Sequence, residues 1–178
     1  MNRNAGFTIL AGLPPDGPPA VPCPKNWGQG AREGFVVRFD PAKEESWVAN
    51  FSRGLADTDA VLPFGDRFLV VAGGALYLVD AEQPGPKAQI DGCVTDILIV
   101  SAPVGFVFGW NNISLGSWTL DGPRWKTRRL SWDGFHALRI ERGRILGEGW
   151  SAPDGEWVHF EVDLESGEAS GGPTALSA

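Results

Sequence analysis

The sequence predicts an all-β fold built from four repeated antiparallel units, and three observations carry that prediction. Four segments end in an apolar residue followed by aspartate, at Asp40, Asp80, Asp121 and Asp163, and the steps between them are 40, 41 and 42 residues. The composition leans the same way. The 24 Gly and 14 Pro supply turns, while 8 Trp and 10 Phe against a single Met suit pleated, half-buried surfaces. No window sustains a helical apolar period, whereas short β-branched and aromatic runs bounded by Gly, Pro, Asn or Asp recur along the chain.

The expected organisation is one domain over residues 1–178, with repeats at approximately 7–52, 57–92, 94–134 and 135–172. In the first, a strand at Phe7 to Leu10 leads into six prolines between Pro14 and Pro24, which forbid helix and central strand and predict an ordered surface loop. Strands at Gly34 to Asp40 and Ser46 to Phe51 follow. The second repeat reads as Ala60 to Phe64, a Gly65-Asp66 turn, Arg67 to Ala72, a Gly73-Gly74 turn, Ala75 to Asp80 and a weak strand at Lys87 to Ile90. The third reads as Ile97 to Ser101, Phe106 to Trp110, an Asn111-Asn112 turn, Leu115 to Leu120 and Trp125 to Trp132. The fourth reads as Ala137 to Glu141, an Arg142-Gly143 turn, Ile145 to Trp150 and Glu156 to Asp163. Four antiparallel strands per ~40–45 residues is the signature of a propeller blade, so the predicted architecture is a small β-propeller or a propeller fragment. Trp27, Trp110 and Trp150, each 11 to 13 residues before its repeat's aspartate, are expected in the core between sheets. Residues 168–173 are poor strand material. The last sheet is therefore expected to be completed by an N-terminal segment or by a second copy in a homodimer.

Gly34 to Trp47, GFVVRFDPAKEESW, resembles a quinoprotein-type (PQQ-like) propeller repeat, within the wider WD-repeat-like class. The matching residues are Gly34, Phe35, Val37, Phe39, Asp40 and Trp47. The tryptophan comes one residue earlier than that family's usual spacing, and the turn has no glycine. Glu156 to Glu168 is similar to the same unit, with Gly167 correctly placed after Asp163 but no following Trp. The resemblance implies repeat chemistry across most of the chain and does not imply the quinone; no cofactor is expected. Each repeat aspartate is expected to shape its turn by accepting from a backbone N–H two residues on.

Composition narrows the function classes. A net charge of −7 argues against a nucleic-acid backbone as partner. Two cysteines, Cys23 and Cys93, are too few for a disulfide framework. No stretch reaches the ~18 apolar residues of a membrane span and the N-terminus lacks a signal peptide's apolar region, so a cytoplasmic protein is expected. No nucleophile elbow, phosphate loop or zinc spacing occurs.

Two candidate sites remain. Asp59, Asp96 and His136 fall at the starts of innermost strands, where two carboxylates and an imidazole at a channel mouth can bind a small ligand or cation or do acid–base work. His159 is expected to be partly buried and satisfied. Residues 124–144 carry seven basic side chains against Asp133 and Glu141, a local +5 in a chain otherwise at −12. Within that stretch Arg124, Trp125, Lys126, Arg128 and Arg129 are expected to dock an acidic protein, Arg124, Lys126 and Arg128 sharing one strand face. The functional expectation is a non-catalytic protein-interaction module, of bacterial adaptor or immunity type; the alternative is a ligand-binding or hydrolytic propeller using Asp59, Asp96 and His136.

Overall fold

The computed structural model describes residues 5–25, 27, 33–90, 93–101 and 104–173. Sixteen strands and no helix occur among them. They form four four-stranded sheets, each drawn from one contiguous stretch of chain: 6–51, 59–90, 94–126 and 135–171. The chain divides into two compact units, 1–92 and 93–178, each holding two sheets.

In the first unit, β1 (Gly6–Leu10), β3 (Phe35–Asp40), β4 (Trp47–Phe51) and β2 (Val21–Cys23) lie side by side in that order. All pairs are antiparallel except β2, which runs parallel to β4. That parallel pair departs from the wholly antiparallel expectation. It arises because the proline-rich segment passes across the sheet before β3 begins, and its three-residue strand with Pro22 takes the edge, where a missing N–H is tolerated. The second sheet is a simple meander of β5 (Asp59–Phe64), β6 (Arg67–Ala72), β7 (Ala75–Val79) and β8 (Pro86–Ile90). Alternate residues of the two sheets meet in one core: Phe35, Val37, Phe39, Ala49 and Phe51 against Val61, Phe68, Val70, Ala72, Tyr77 and Val79. Phe39 lies 5.7 Å from Phe68 and Phe51 5.0 Å from Tyr77, centroid to centroid. Each ring so buried contributes about 1.5–3 kcal/mol. Gly34 is required by close approach, since a methyl there would sit 2.0 Å from the Phe51 carbonyl oxygen.

The second unit repeats the plan. The third sheet is β9 (Val94–Ser101), β10 (Val104–Trp110), β11 (Ser114–Thr119) and β12 (Gly122–Lys126). The fourth is β13 (Phe135–Glu141), β14 (Arg144–Ser151), β15 (Glu156–Asp163) and β16 (Ala169–Gly171). The three-residue β16 supplies the fourth sheet's outer strand from the chain's own residues, where neither an N-terminal segment nor a second copy is needed. Val100, Val107 and Leu115 pack with Ile145, Phe160, Val162 and with Leu130 of the connection. Of the expected strand at Trp125 to Trp132 only Trp125 and Lys126 are extended, at the end of β12; the rest is a welded connection. Thr127 Oγ accepts from the Leu115 N–H at 2.9 Å, and Ser131 Oγ accepts from the Trp150 N–H at 3.0 Å.

One device occurs in both units. Trp47 donates its indole N–H to the Ala81 carbonyl at 2.7 Å, and Trp125 donates to the Leu164 carbonyl at 3.1 Å. Each acceptor follows a repeat aspartate, Asp80 or Asp163, so each unit pins its two sheets together by the same indole-to-turn bond. The expected aspartate turns form at Asp80, which accepts from the Glu82 N–H, and at Asp163, which accepts from Glu165 and Ser166. Asp40 instead accepts from Ser46 Oγ and pairs with Arg38, because it ends the second strand of its sheet, whereas Asp80 and Asp163 follow or end third strands. At Asp121 the Thr119 hydroxyl takes over the turn bond.

Candidate functional site

The residues proposed for a channel mouth each have a local setting. Asp59 opens β5 in the first unit, and its carboxylate accepts from the Gly73 N–H at 2.8 Å and pairs with Arg53. It fastens the β6–β7 turn to the loop before β5. Asp96 and His136 belong to the second unit. Asp96 is the extra residue of a β-bulge in β9, at φ +47°, with an exposed side chain. His136 precedes a bulge in β13 in which Ala137 lies at φ +53°, and its Nδ1 is 3.2 Å from Glu148 Oε2. Two non-glycine residues in the left-handed region, both on first strands of sheets, re-aim the neighbouring side chains at some conformational cost. Among the described residues no three His, Cys, Asp or Glu side chains are grouped to hold a metal ion.

The basic stretch is largely committed within the second unit. Arg124 is the extra residue of a bulge in the edge strand β12, which breaks the alternation that would align it with Lys126, and β12 ends before Arg128. Trp125 is half-buried as the indole latch described above. Lys126 Nζ sits 3.8 Å over the Trp110 ring. Arg128 donates to the Arg129 and Gly171 carbonyls, and Arg129 donates to the Ser131 carbonyl and stacks over Trp132. Arg139 pairs with Glu141 and Arg144 with Glu161.

A different surface stands out in the same unit. Strand β14 alternates buried and part-exposed residues along its whole length, and β15 pairs with it over eight consecutive positions without a bulge. One phase of the two strands, including Ile145, Gly147, Gly149, Phe160 and Val162, is buried; Ile145, Phe160 and Val162 belong to the core cluster of the unit. The other phase faces solvent. There His136, Glu148 and His159 stand in one row across β13, β14 and β15, beside the opposed pair Trp150 and Trp157. The Trp157 ring is 5.4 Å from both Trp150 and His136, and Trp157 is 44 % exposed. Arg139, Arg144, Glu161 and Asp163 continue the same face. Hydrogen bonds from Ser166 hold the Asp163 carboxyl below its ordinary range, first through the backbone N–H and then through the hydroxyl.

This face corrects two expectations. Trp150 is not a core residue between sheets, because its phase of β14 points outward, and the His159 side chain is 57 % exposed rather than partly buried. Gly147 and Gly149 explain why the sequence signal was weak. They occupy the core phase of β14, where a methyl at Gly149 would sit 1.9 Å from the Leu130 carbonyl oxygen, so the buried side of the strand carries little apolar lettering. Glu148 was hidden between them.

No family model matches the chain, and no curated protein matches it. Among the described residues no helix is long and apolar enough to cross a membrane.

Proposed function

We propose that the chain is a non-catalytic protein-interaction module on a propeller-like scaffold, with repeats of the quinoprotein or WD-like kind and a cytoplasmic bacterial adaptor or immunity role. Four consecutive four-stranded sheets, paired face to face within each unit, support the blade-like reading. One observation carries the interaction reading: the fourth sheet already has its core on one face, yet its other face presents Trp157, Trp150 and His136 to solvent. Folding alone gives no reason to leave a large ring on that side, and exposed aromatic groups are the anchors of protein interfaces. The partner is a protein.

The test is site-specific photo-crosslinking. Trp157→p-benzoylphenylalanine should capture a defined partner in the native host, and the purified partner should bind the wild type but not Trp157→Ala. Binding that survives Trp157→Ala unchanged overturns the assignment of this face. A ligand-binding reading at Asp59, Asp96 and His136 draws support from the bulges at Asp96 and Ala137. Loss of small-ligand or metal binding in a folded Asp59→Ala, His136→Ala double variant would favour it over the interaction reading.

A further inference from the structure

We infer that the Trp157 face receives a cationic protein segment, one bearing arginine or lysine, and this rests on the interaction reading above. The first argument is charge. From residue 145 to the end the chain carries seven carboxylates and no Lys or Arg. The two arginines that neighbouring positions contribute to this face are already taken, Arg139 by Glu141 at 2.7 Å and Arg144 by Glu161 at 2.5 Å. Asp163 lies opposite Arg144, but Glu148 on the face, with exposed Asp154 and Glu156 beside Trp157, is matched by no Lys or Arg on the same strands.

The second argument is the ring itself. A guanidinium or ammonium is drawn to an indole face, and more strongly where carboxylates flank it. Trp157 is held from two sides by Trp150 and His136, at ring separations of 5.4 Å, and its strand is locked in register with β14. It is thus presented in a fixed position, which lowers the ordering cost of binding. Glu148, half-buried in the row beneath, supplies a carboxylate whose position is set by the Nδ1 contact to His136. Lys126 over Trp110 shows the same cation-on-indole chemistry within this unit. An acidic partner would meet three unmatched like charges here, Glu148, Asp154 and Glu156, and only two arginines, both internally paired.

The experiment uses the whole protein and four nonapeptides in which glycine alternates with Arg, Lys, Gln or Glu. Binding is followed by tryptophan fluorescence and by calorimetry at two salt concentrations. The Arg peptide should bind best, the Lys peptide less well, and the Gln and Glu peptides not measurably. Raising salt should weaken the Arg complex. Trp157→Leu should weaken it about 10-fold, the order expected for loss of a flanked cation–π contact. Glu148→Gln should weaken it by a smaller factor and flatten the salt dependence. Because general attraction to an acidic protein would also bind the Arg peptide, the inference is overturned if Trp157→Leu leaves its affinity unchanged. Equal binding of the Gln peptide overturns it too, and points to a neutral ligand such as a saccharide stacking on the ring. Trp157→Phe keeps an aromatic face and should retain part of the affinity, which guards against a folding artefact. If the partner captured from position 157 binds but is not displaced by the Arg peptide, the charge assignment fails while the interaction reading stands. If Trp157→Ala does not impair that partner, the interaction reading fails instead.

Discussion

The second and fourth sheets use the same meander for opposite ends. In β6 and β7 nearly every residue is buried, in both phases of the strands. In β14 and β15 burial alternates, and one whole face is left to solvent. The sequences state the difference plainly: RFLVVA is a continuous apolar run, whereas RILGEGWS places glycines on the core phase and Glu148 and Trp150 on the other. Where both phases of a strand are buried its side chains are answerable to volume alone. Where one side is open, the residues there are free to be chosen for contact, and the cross-strand row His136, Glu148, His159 is a product of that freedom.

The contrast can be broken most forcefully from the packed unit. Phe51→Ala should cost roughly 3–5 kcal/mol by chemical denaturation, because its ring is fully buried against Phe39 and Tyr77. Next in size is a pH effect in the same unit. Burial pushes the Cys23 thiol up from 9.0 to about 12. The unfolded chain therefore loses a proton that the folded chain keeps between those values. Stability on this account is full below pH 9 and falls as pH rises through the window, by about 1.4 kcal/mol per unit. Urea titrations from pH 8 to 11 should show a flatter decline in Cys23→Ala than in wild type; parallel slopes would refute it. In the open-faced sheet, Gly149→Ala should cost about 1–3 kcal/mol by forcing the strand off the Leu130 carbonyl. Trp47→Phe and Trp125→Phe should each cost around 1 kcal/mol through the lost indole bond, and similar losses in the two units would sharpen their equivalence. Smallest of all, Trp157→Leu should change stability by no more than the ~0.2–1 kcal/mol of a cross-strand pair while abolishing partner binding.

Much of the fold was legible because its signals are local. The tight turns expected at Gly73-Gly74, Asn111-Asn112 and Arg142-Gly143 all have both residues at positive φ, a conformation that Gly and Asn tolerate best and that Arg142 adopts beside Gly143. Three of the four repeat aspartates stand at or just after the third strand of a sheet. Asp40 misled, since the parallel edge strand β2 displaces its hairpin by one place, and nothing local to Asp40 records where Val21 to Cys23 will pair. The site was less legible. Trp150 and His159 are expected inward, because alternation shows that two phases exist without showing which one meets the core. The basic stretch misled for a related reason. Charge counted along the chain takes no account of Trp110 beneath Lys126, or of the Gly171 carbonyl that receives Arg128.

By itself the sequence determined the all-β class, the number of sheets and most strand and turn positions, since periodicity, turn residues and composition act over a few residues. Only the tertiary structure decided that β2 runs parallel, that Trp47 and Trp125 are equivalent latches, and that His136, Glu148, His159, Trp150 and Trp157 share one open face. Those outcomes depend on which sheet face finds a neighbour and on strand pairings that join distant segments, and no window of the sequence contains both partners.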